Sequence, residues 1–126
     1  MNTMVMRYLM VALAGSVGAV ARYALGMWFG RSNTTFPIGT FIINVTGCFI
    51  LGWFLTYAER HNFSPTTRLA IGVGFVGAYT TFSTFMYETN RLMNDKAWYE
   101  AFAYLSLSLI VGLLAVRLGI VLARGN

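Results

Sequence analysis

Four long stretches without charged residues limit what this chain can fold into. They cover residues 8–21, 38–58, 69–87 and 101–116. A helix needs about 20 residues to cross the apolar core of a bilayer, and basic side chains near its ends can reach back to water. Only 10% of the 126 residues are charged, against about 25% in soluble proteins. The chain is therefore predicted to be a membrane protein with four transmembrane helices.

Short polar segments separate the four stretches, at residues 30–37, 59–67 and 94–97. They leave no room for a soluble domain, so residues 1–126 are expected to form a single four-helix transmembrane domain. Residues 12–14 resemble a signal-peptide cleavage site. The apolar run before them covers only residues 8–11, whereas the apolar region of a signal peptide needs at least about 7 residues. The first stretch is therefore retained as a helix.

The sequence carries no pattern typical of catalysis or metal binding. Its one cysteine, Cys48, lies inside the second apolar stretch, and its one histidine, His61, lies in a loop far from a second ligand. A phosphate-cradling glycine loop and a nucleophile–base pairing are both absent from the sequence. We therefore expect neither an enzyme nor a nucleic-acid-binding protein, and we assign Cys48 to packing.

Basic residues are divided almost evenly between the two sides of the membrane. With four helices, both chain ends lie on the same side. The two sets are Arg7, Arg60, Arg68, Arg117 and Arg124 on that side, and Arg22, Arg31, Arg91 and Lys96 on the other. Orientation in the bilayer depends on a clear excess of Lys and Arg in cytoplasmic loops, which this split does not provide. We expect the chain to insert both ways and to form an antiparallel homodimer in the lipid bilayer; the alternative is that subtler signals fix one topology.

Two polar side chains fall within the first two predicted helices. Arg22 shares a helix face with Gly15 and Gly18. Its guanidinium either extends to the membrane surface or lies at the mouth of an anion path, where positive charge concentrates anions. Asn44 lies near the middle of the second helix, one turn after Thr40. An amide in hydrocarbon needs a partner, so Asn44 faces either another helix or a polar cavity in which it donates to a permeating anion.

Hydroxyl and aromatic residues are concentrated in residues 77–88, which read GAYTTFSTFMYE. Helical spacing places the hydroxyl residues on one stripe and the two phenylalanines on an adjacent face, and the fourth helix adds two polar residues at i, i+4 spacing. The set comprises Thr80, Ser83, Thr84, Tyr87, Phe82, Phe85, Tyr104 and Ser108. Each residue alone has an ordinary packing explanation. Together they predict a dehydrated row of donors beside aromatic rings whose positive edges can face an anion.

All four acidic residues are expected to flank the apolar stretches; they are Glu59, Glu88, Asp95 and Glu100. Proton-coupled cation transport ordinarily needs a carboxylate within the membrane. This disfavours the small multidrug-resistance transporters, which share this size and helix count but work through a glutamate in the first helix. Three hypotheses remain: a passive anion channel, a coupled small-solute antiporter and a non-transporting membrane scaffold.

Three segments resemble the Fluc (CrcB) family of fluoride channels: GSVGAVARY at 15–23, PIGTFIINVTGCF at 37–49 and VGAYTTFSTFMYE at 76–88. The run TTFSTF is highly specific, although Ala78 departs from a glycine pair common in the family at this place. The resemblance implies a multi-pass protein of the cell inner membrane, a dual-topology homodimer with two antiparallel pores. Such a channel passes fluoride but not chloride, and thereby reduces fluoride toxicity without an energy source.

The resemblance also implies roles for individual residues. Phe82 and Phe85 would contact the anion, and Asn44 would donate a hydrogen bond near the pore mouth. The remaining polar lining would come from Ser83, Thr84, Tyr104 and Ser108, and Thr40 and Arg22 are counted with these candidate pore residues. A structural sodium ion on the dimer axis would be held by the backbone carbonyls of Gly77 and Thr80, at a break in the third helix between residues 77 and 81.

Overall fold

The computed structural model describes residues 2–30 and 35–125, and the described part of the chain folds entirely into helices and their connections. Arg31, one of the cations counted above, lies outside the described residues. The helices are α1 (Thr3–Phe29), α2 (Ile38–Arg60), α3 (residues 65–79), α4 (Phe82–Asn94) and α5 (Trp98–Arg124). Within α3, regular turns at Pro65–Leu69 and Gly77–Tyr79 enclose a π-helical segment, Ala70–Val76.

The described helices form four segments that are long and apolar enough to cross a membrane. These are Thr3–Phe29, Ile38–Arg60, Pro65–Asn94 and Trp98–Arg124. Large apolar side chains project outward from them, among them Leu13 at 65% exposure, and a lipid environment would cover such residues. The predicted all-α fold with four transmembrane helices is confirmed, and the protein is a multi-pass membrane protein.

Helices α2 and α5 pack closely because glycines lie at their contact. A β-carbon on Gly52 would overlap the Val116 carbonyl, and one on Gly119 would overlap the Phe49 carbonyl. In the membrane, small residues let two backbones approach until dispersion contacts hold them together. These glycines therefore fix α5 against α2, which sets the distance between the polar side chains that both helices carry.

The small residues of α1 receive α3. A β-carbon on Gly18 would overlap the Phe75 carbonyl, and one on Gly74 would lie 2.8 Å from the Val11 carbonyl oxygen. Gly74 belongs to the π-helical segment, in which hydrogen bonds reach back five residues, as from the Gly77 amide to the Gly72 carbonyl. Gly18, on the face of α1 that also carries Arg22, thus lets α3 approach α1 closely.

The third membrane segment is broken near its middle, as predicted, but not at the glycine. Gly77 has helical dihedral angles of −62° and −35°. The chain becomes extended only at Thr80, with φ −82° and ψ 158°, and remains so at Thr81, with φ −148° and ψ 117°. The break therefore occupies two threonines between α3 and α4.

Candidate functional site at the helix break

Asn44 pairs with the backbone of the broken segment. Its Nδ2 donates to the Thr81 carbonyl at 3.0 Å, and its Oδ1 accepts from the Thr81 amide at 2.8 Å. A non-helical backbone at membrane depth requires such partners because water is not available there. The predicted need of Asn44 for a partner is thus met by a main-chain peptide rather than by another side chain. One hydrogen of the Nδ2 group remains for a further acceptor.

The break removes the usual helical donors from two backbone carbonyls. In a continuous helix the Thr81 amide would donate to the Gly77 carbonyl, but it donates to Asn44 instead. The Thr84 amide would likewise serve the Thr80 carbonyl, but it donates to Thr81 Oγ1 at 3.2 Å, which caps α4. Gly77 and Thr80 are the two residues named above as carbonyl ligands of a cation.

Arg22 contacts the same break from α1. Its Nε donates to the Ala78 carbonyl at 3.0 Å, and the side chain is partly buried. Arg22 therefore does not simply extend to the membrane surface, which was one of its two predicted alternatives. It binds a third carbonyl near the break and also lines a cavity.

The cavity beside Arg22 has a volume of about 330 Å³ and polar walls. It lies between the end of α1, the start of α2 and one face of α4. Its polar and charged lining consists of Arg22, Thr35, Thr40, Thr81, Thr84, Glu88 and Arg91. The guanidinium groups of Arg22 and Arg91 carry positive charge, and so, in part, do the backbone amides in the first turn of α2. The cavity is therefore favourable for an anion. We call it the basic cavity.

Glu88 links three helices at the wall of the basic cavity. Thr40 Oγ1 donates to its Oε1 at 2.9 Å, and Tyr104 OH donates to its Oε2 at 2.7 Å. Tyr104 is 0% exposed. Glu88 follows the apolar stretch 69–87, as expected, but α4 continues to Asn94 and turns this carboxylate inward. Two polar residues predicted to line a path, Thr40 and Tyr104, therefore bind this carboxylate.

A second cavity, of about 280 Å³, lies on the other side of Thr81. Its lining includes Asn44, Phe82, Phe85 and Ser108, four of the residues predicted to meet an anion. We call it the aromatic cleft. Thr81 lines both cavities, so the Asn44–Thr81 pair lies between them.

The two phenylalanines of the aromatic cleft differ in burial. Their ring centroids are 6.1 Å apart with the planes at 66°, so one edge faces the other ring. Phe85 is 5% exposed and packs edge-on against Tyr104, at 4.8 Å between centroids. Phe82 is 72% exposed. A single chain therefore leaves the aromatic cleft open beside Phe82.

Ser108 Oγ is buried and has no hydrogen-bond partner among the residues that the structure describes. Buried hydroxyls are nearly always paired, so an unpaired one in a cavity wall calls for an explanation. A ligand that enters the aromatic cleft and accepts a hydrogen bond would supply one.

The predicted hydroxyl stripe is only partly formed. Thr84 faces the basic cavity, whereas Ser83 and Tyr87 are exposed on the outer side of α4. Thr80 is not part of that helix, so helical spacing did not apply to it. Three lining residues of the basic cavity, Thr81, Glu88 and Arg91, were not predicted from the sequence. The spacing of Thr84, Glu88 and Arg91, at four and three residues, would have placed the last two on the face of Thr84.

The fold and the site define a class of protein: a small four-helix membrane protein whose broken helix lies between a polar, basic cavity and an aromatic cleft. The sequence model of the family described as "CrcB-like protein, Camphor Resistance (CrcB)" matches residues 9–120. The chain belongs to the CrcB-like family, and this membership agrees with the expectation that it is not an enzyme.

Similar proteins of the family carry the name "Fluoride-specific ion channel FluC". The one from Acidobacterium capsulatum is 54% identical over 121 residues, which are 94% of this chain and 97% of that protein. The one from a Synechococcus species is 47% identical over 116 residues, 90% of this chain and 89% of that protein. "Fluoride-specific ion channel FluC 1" of Bacillus cereus is 44% identical over 114 residues, 89% of this chain and 83% of that protein.

Proposed function

We propose that the protein is a fluoride-selective channel of the cell inner membrane that lets fluoride leave the cell passively. The observation that carries this function is the aromatic cleft, where anion-compatible groups converge without a basic side chain in the lining. A small, strongly hydrated anion gives up its water only where donors replace that water. The names of the relatives support fluoride as the ion.

The path that we propose runs from the basic cavity, past Thr81, into the aromatic cleft. Arg22 and Arg91 attract the anion, while Glu88 has both oxygens engaged by hydroxyl donors. Beyond Thr81, the second hydrogen of Asn44 Nδ2 and the Ser108 hydroxyl are donors, and the edges of Phe82 and Phe85 offer positive potential. In this proposal Ser83 has no direct part, since it lines neither cavity.

The working unit that we propose is an antiparallel homodimer. The near-even split of cations supports insertion in both orientations. The aromatic cleft is open beside Phe82, and Gly18 is the one buried residue of α1. Both features leave surface for a second copy of the chain. Two chains related by a two-fold axis would close two such clefts, one from each chain.

We further propose a sodium ion at the dimer axis, held by the Gly77 and Thr80 carbonyls of both chains. The support is that the two amides that would donate to these carbonyls in a continuous helix donate to side chains instead. Unpaired carbonyls in a bilayer are costly, and a neutral all-oxygen site without carboxylates suits a monovalent ion better than calcium. The charge would also attract anions toward either path.

A proton-coupled antiporter is the second candidate, and Glu88 is the observation that favours it. A carboxylate within a membrane segment is the usual carrier of a coupled proton. Both of its carboxylate oxygens, however, accept hydrogen bonds from Thr40 and Tyr104, so neither oxygen is free to contact a substrate.

Fluoride efflux from liposomes that contain the purified protein tests these candidates. A passive channel dissipates a fluoride gradient in the absence of a proton gradient and excludes chloride. Transport that requires a counter-substrate would instead establish the antiporter, and liposomes that retain fluoride would leave only a scaffold.

A further inference from the structure

The segment that joins α3 to α4 crosses α2 in a fixed order. Tyr79 contacts Thr46, Thr80 contacts Gly47, and Thr81 pairs with Asn44. On a helix with about 100° per residue, Gly47 lies between Thr46 and Asn44 around the axis. Three successive residues therefore pass over three adjacent positions of the α2 surface.

The close approach in the middle of this crossing depends on Gly47. A β-carbon there would overlap the Thr80 methyl group and lie 3.3 Å from the Tyr79 ring. Without a side chain on α2 at this point, the Thr80 methyl group and the Tyr79 ring rest directly on the helix and bring the extended backbone close to it. The two flanking hydrogen-bonded contacts then decide how that backbone is rotated.

The contact on one flank is the Asn44–Thr81 pair, and the contact on the other is a hydrogen bond between two hydroxyls. Thr46 Oγ1 and Tyr79 OH are 2.9 Å apart. Thr46 Oγ1 also lies 2.7 Å from the Ile42 carbonyl, which can only accept, so its proton is directed to that carbonyl. Tyr79 is therefore the donor in the hydroxyl pair.

Two features hold the hydrogen bond between Tyr79 and Thr46 in place. Tyr79 is 5% exposed, and its ring stacks on Phe75 with the planes at 6°. Thr46 is exposed on the outer surface of α2, at a depth where the surroundings are lipid or another protein chain rather than water. A hydrogen bond in such surroundings has no water to replace it.

We infer that Tyr79 and Thr46 are positioning residues of the ion path: their hydroxyl bond fixes the backbone at Thr80 and thereby the placement of Phe82 and Phe85. Neither hydroxyl touches the ion. They act by fixing the direction in which the chain leaves its contact with Gly47 and enters α4. The inference concerns the geometry of the break, and it rests on the proposed fluoride function only where transport is the readout.

The test uses variants that remove one hydroxyl at a time: Tyr79→Phe, Thr46→Val and the double variant. Thr46→Ser retains the hydroxyl. The matched controls are Tyr57→Phe, whose ring stacks within the end of α2, and Thr56→Val, whose hydroxyl donates to the Gly52 carbonyl of its own helix. Liposome efflux reports two quantities, the fraction of vesicles that contain a working channel and the fluoride rate in those vesicles.

We expect the working fraction to stay unchanged while the rate falls about threefold to tenfold in each single variant, the range that one lost hydrogen bond represents. The double variant should be no slower than the slower single variant, because both remove the same bond. Thr46→Ser and both controls should keep the original rate.

Three results would overturn the inference: unchanged rates, a lower working fraction with an unchanged rate, or independent effects that multiply in the double variant. Amide hydrogen exchange at residues 80–82 supplies a readout that does not involve fluoride. It should accelerate by about the same factor in Tyr79→Phe but not in Tyr57→Phe. If the original protein transports no fluoride, the proposed function fails, and exchange still decides the positioning role.

Discussion

The side chain of Asn44 pairs with the backbone of Thr81 as a neighbouring β-strand would. Thr81 is extended, and both of its backbone groups bind the side-chain amide of Asn44. The Thr81 amide donates to Asn44 Oδ1 at 2.8 Å, and the Thr81 carbonyl accepts from Asn44 Nδ2 at 3.0 Å. A single side chain thus supplies at membrane depth what a sheet edge supplies elsewhere. This relationship makes the break a stable feature of the fold rather than a frayed helix end.

Replacing Asn44 by Asp should disrupt the break. An ionised carboxylate accepts but cannot donate, so it would repel the Thr81 carbonyl while still accepting from the amide. We expect a loss of about 1–3 kcal/mol in stability and a steep fall in fluoride flux, measured by thermal unfolding in detergent and by liposome efflux. Asn90→Asp, on the exposed face of α4, is the control. Full flux with an unchanged unfolding temperature would show that the pair is dispensable.

Phe82→Ile and Phe85→Ile should both suppress fluoride flux, because isoleucine roughly retains apolar bulk but has no positive ring edge. Their effects on stability should differ. Phe85→Ile loses the edge contact with Tyr104 and should cost about 0.5–1.5 kcal/mol, whereas Phe82 is largely exposed in the single chain. Efflux and thermal unfolding measure the two effects, with Phe102→Ile as the exposed control. Normal flux in both variants would assign the rings to packing.

Glu88→Gln should weaken the junction between α2, α4 and α5 but leave transport passive. Glutamine replaces one of the two carboxylate oxygens by an NH2 group, so either Thr40 or Tyr104 loses the acceptor atom to which it now donates. We expect about 1–3 kcal/mol of destabilisation and a reduced rate that remains independent of a proton gradient. Glu59→Gln at the exposed end of α2 controls for charge. Complete loss of transport in Glu88→Gln, together with proton-dependent transport in the original protein, would favour the antiporter.

A cysteine at Glu59 should be labelled from both sides of the membrane in one preparation. The background is Cys48→Ala, which removes the chain's one cysteine. Equal insertion in both orientations would expose about half of the Glu59→Cys residues to an impermeant thiol reagent on each side. Labelling from one side alone would fix the topology and exclude the antiparallel dimer.

Exhaustive replacement of sodium by a bulky organic cation should abolish fluoride flux and weaken the dimer. The Gly77 and Thr80 carbonyls would then lack a partner, and a large cation cannot take the place of a small one between backbone oxygens. Efflux and the oligomeric state in detergent are the measurements, with re-addition of sodium as the control. Flux and dimer integrity that do not respond to sodium would reject the cation site.

The sequence predicted the features that rest on local chemistry. Uncharged runs predicted the four segments, and the family resemblance implied a break between residues 77 and 81, where Thr80 and Thr81 are extended. The π-helical turns at Ala70–Val76 carry no distinctive pattern, since they arise from the packing of Gly74 against α1. Glu88 lies just outside the apolar run, which stops at Tyr87, but the helix continues to Asn94, so the sequence did not show that this carboxylate turns inward.

Partners in the backbone were also beyond sequence analysis. An amide at the position of Asn44 requires a partner, but only the fold shows that the partner is a peptide unit 37 residues later. Arg22 was assigned either to the membrane surface or to an anion path, and its bond to the Ala78 carbonyl depends on where α3 ends. Side-chain patterns do not record which main-chain groups a break exposes.

The π-helical segment has a consequence for how chains of this kind tolerate changes in length. Its wide turns hold more residues per turn than an α-helix does, so the segment Ala70–Val76 contains slack. A deletion of one residue there would be absorbed by tightening to α-helical turns, and Thr80 would still reach Gly47. The same deletion after Tyr79 would shift every contact of the crossing by one position. Single-residue deletions should therefore be tolerated in the π-helical segment but not within the break.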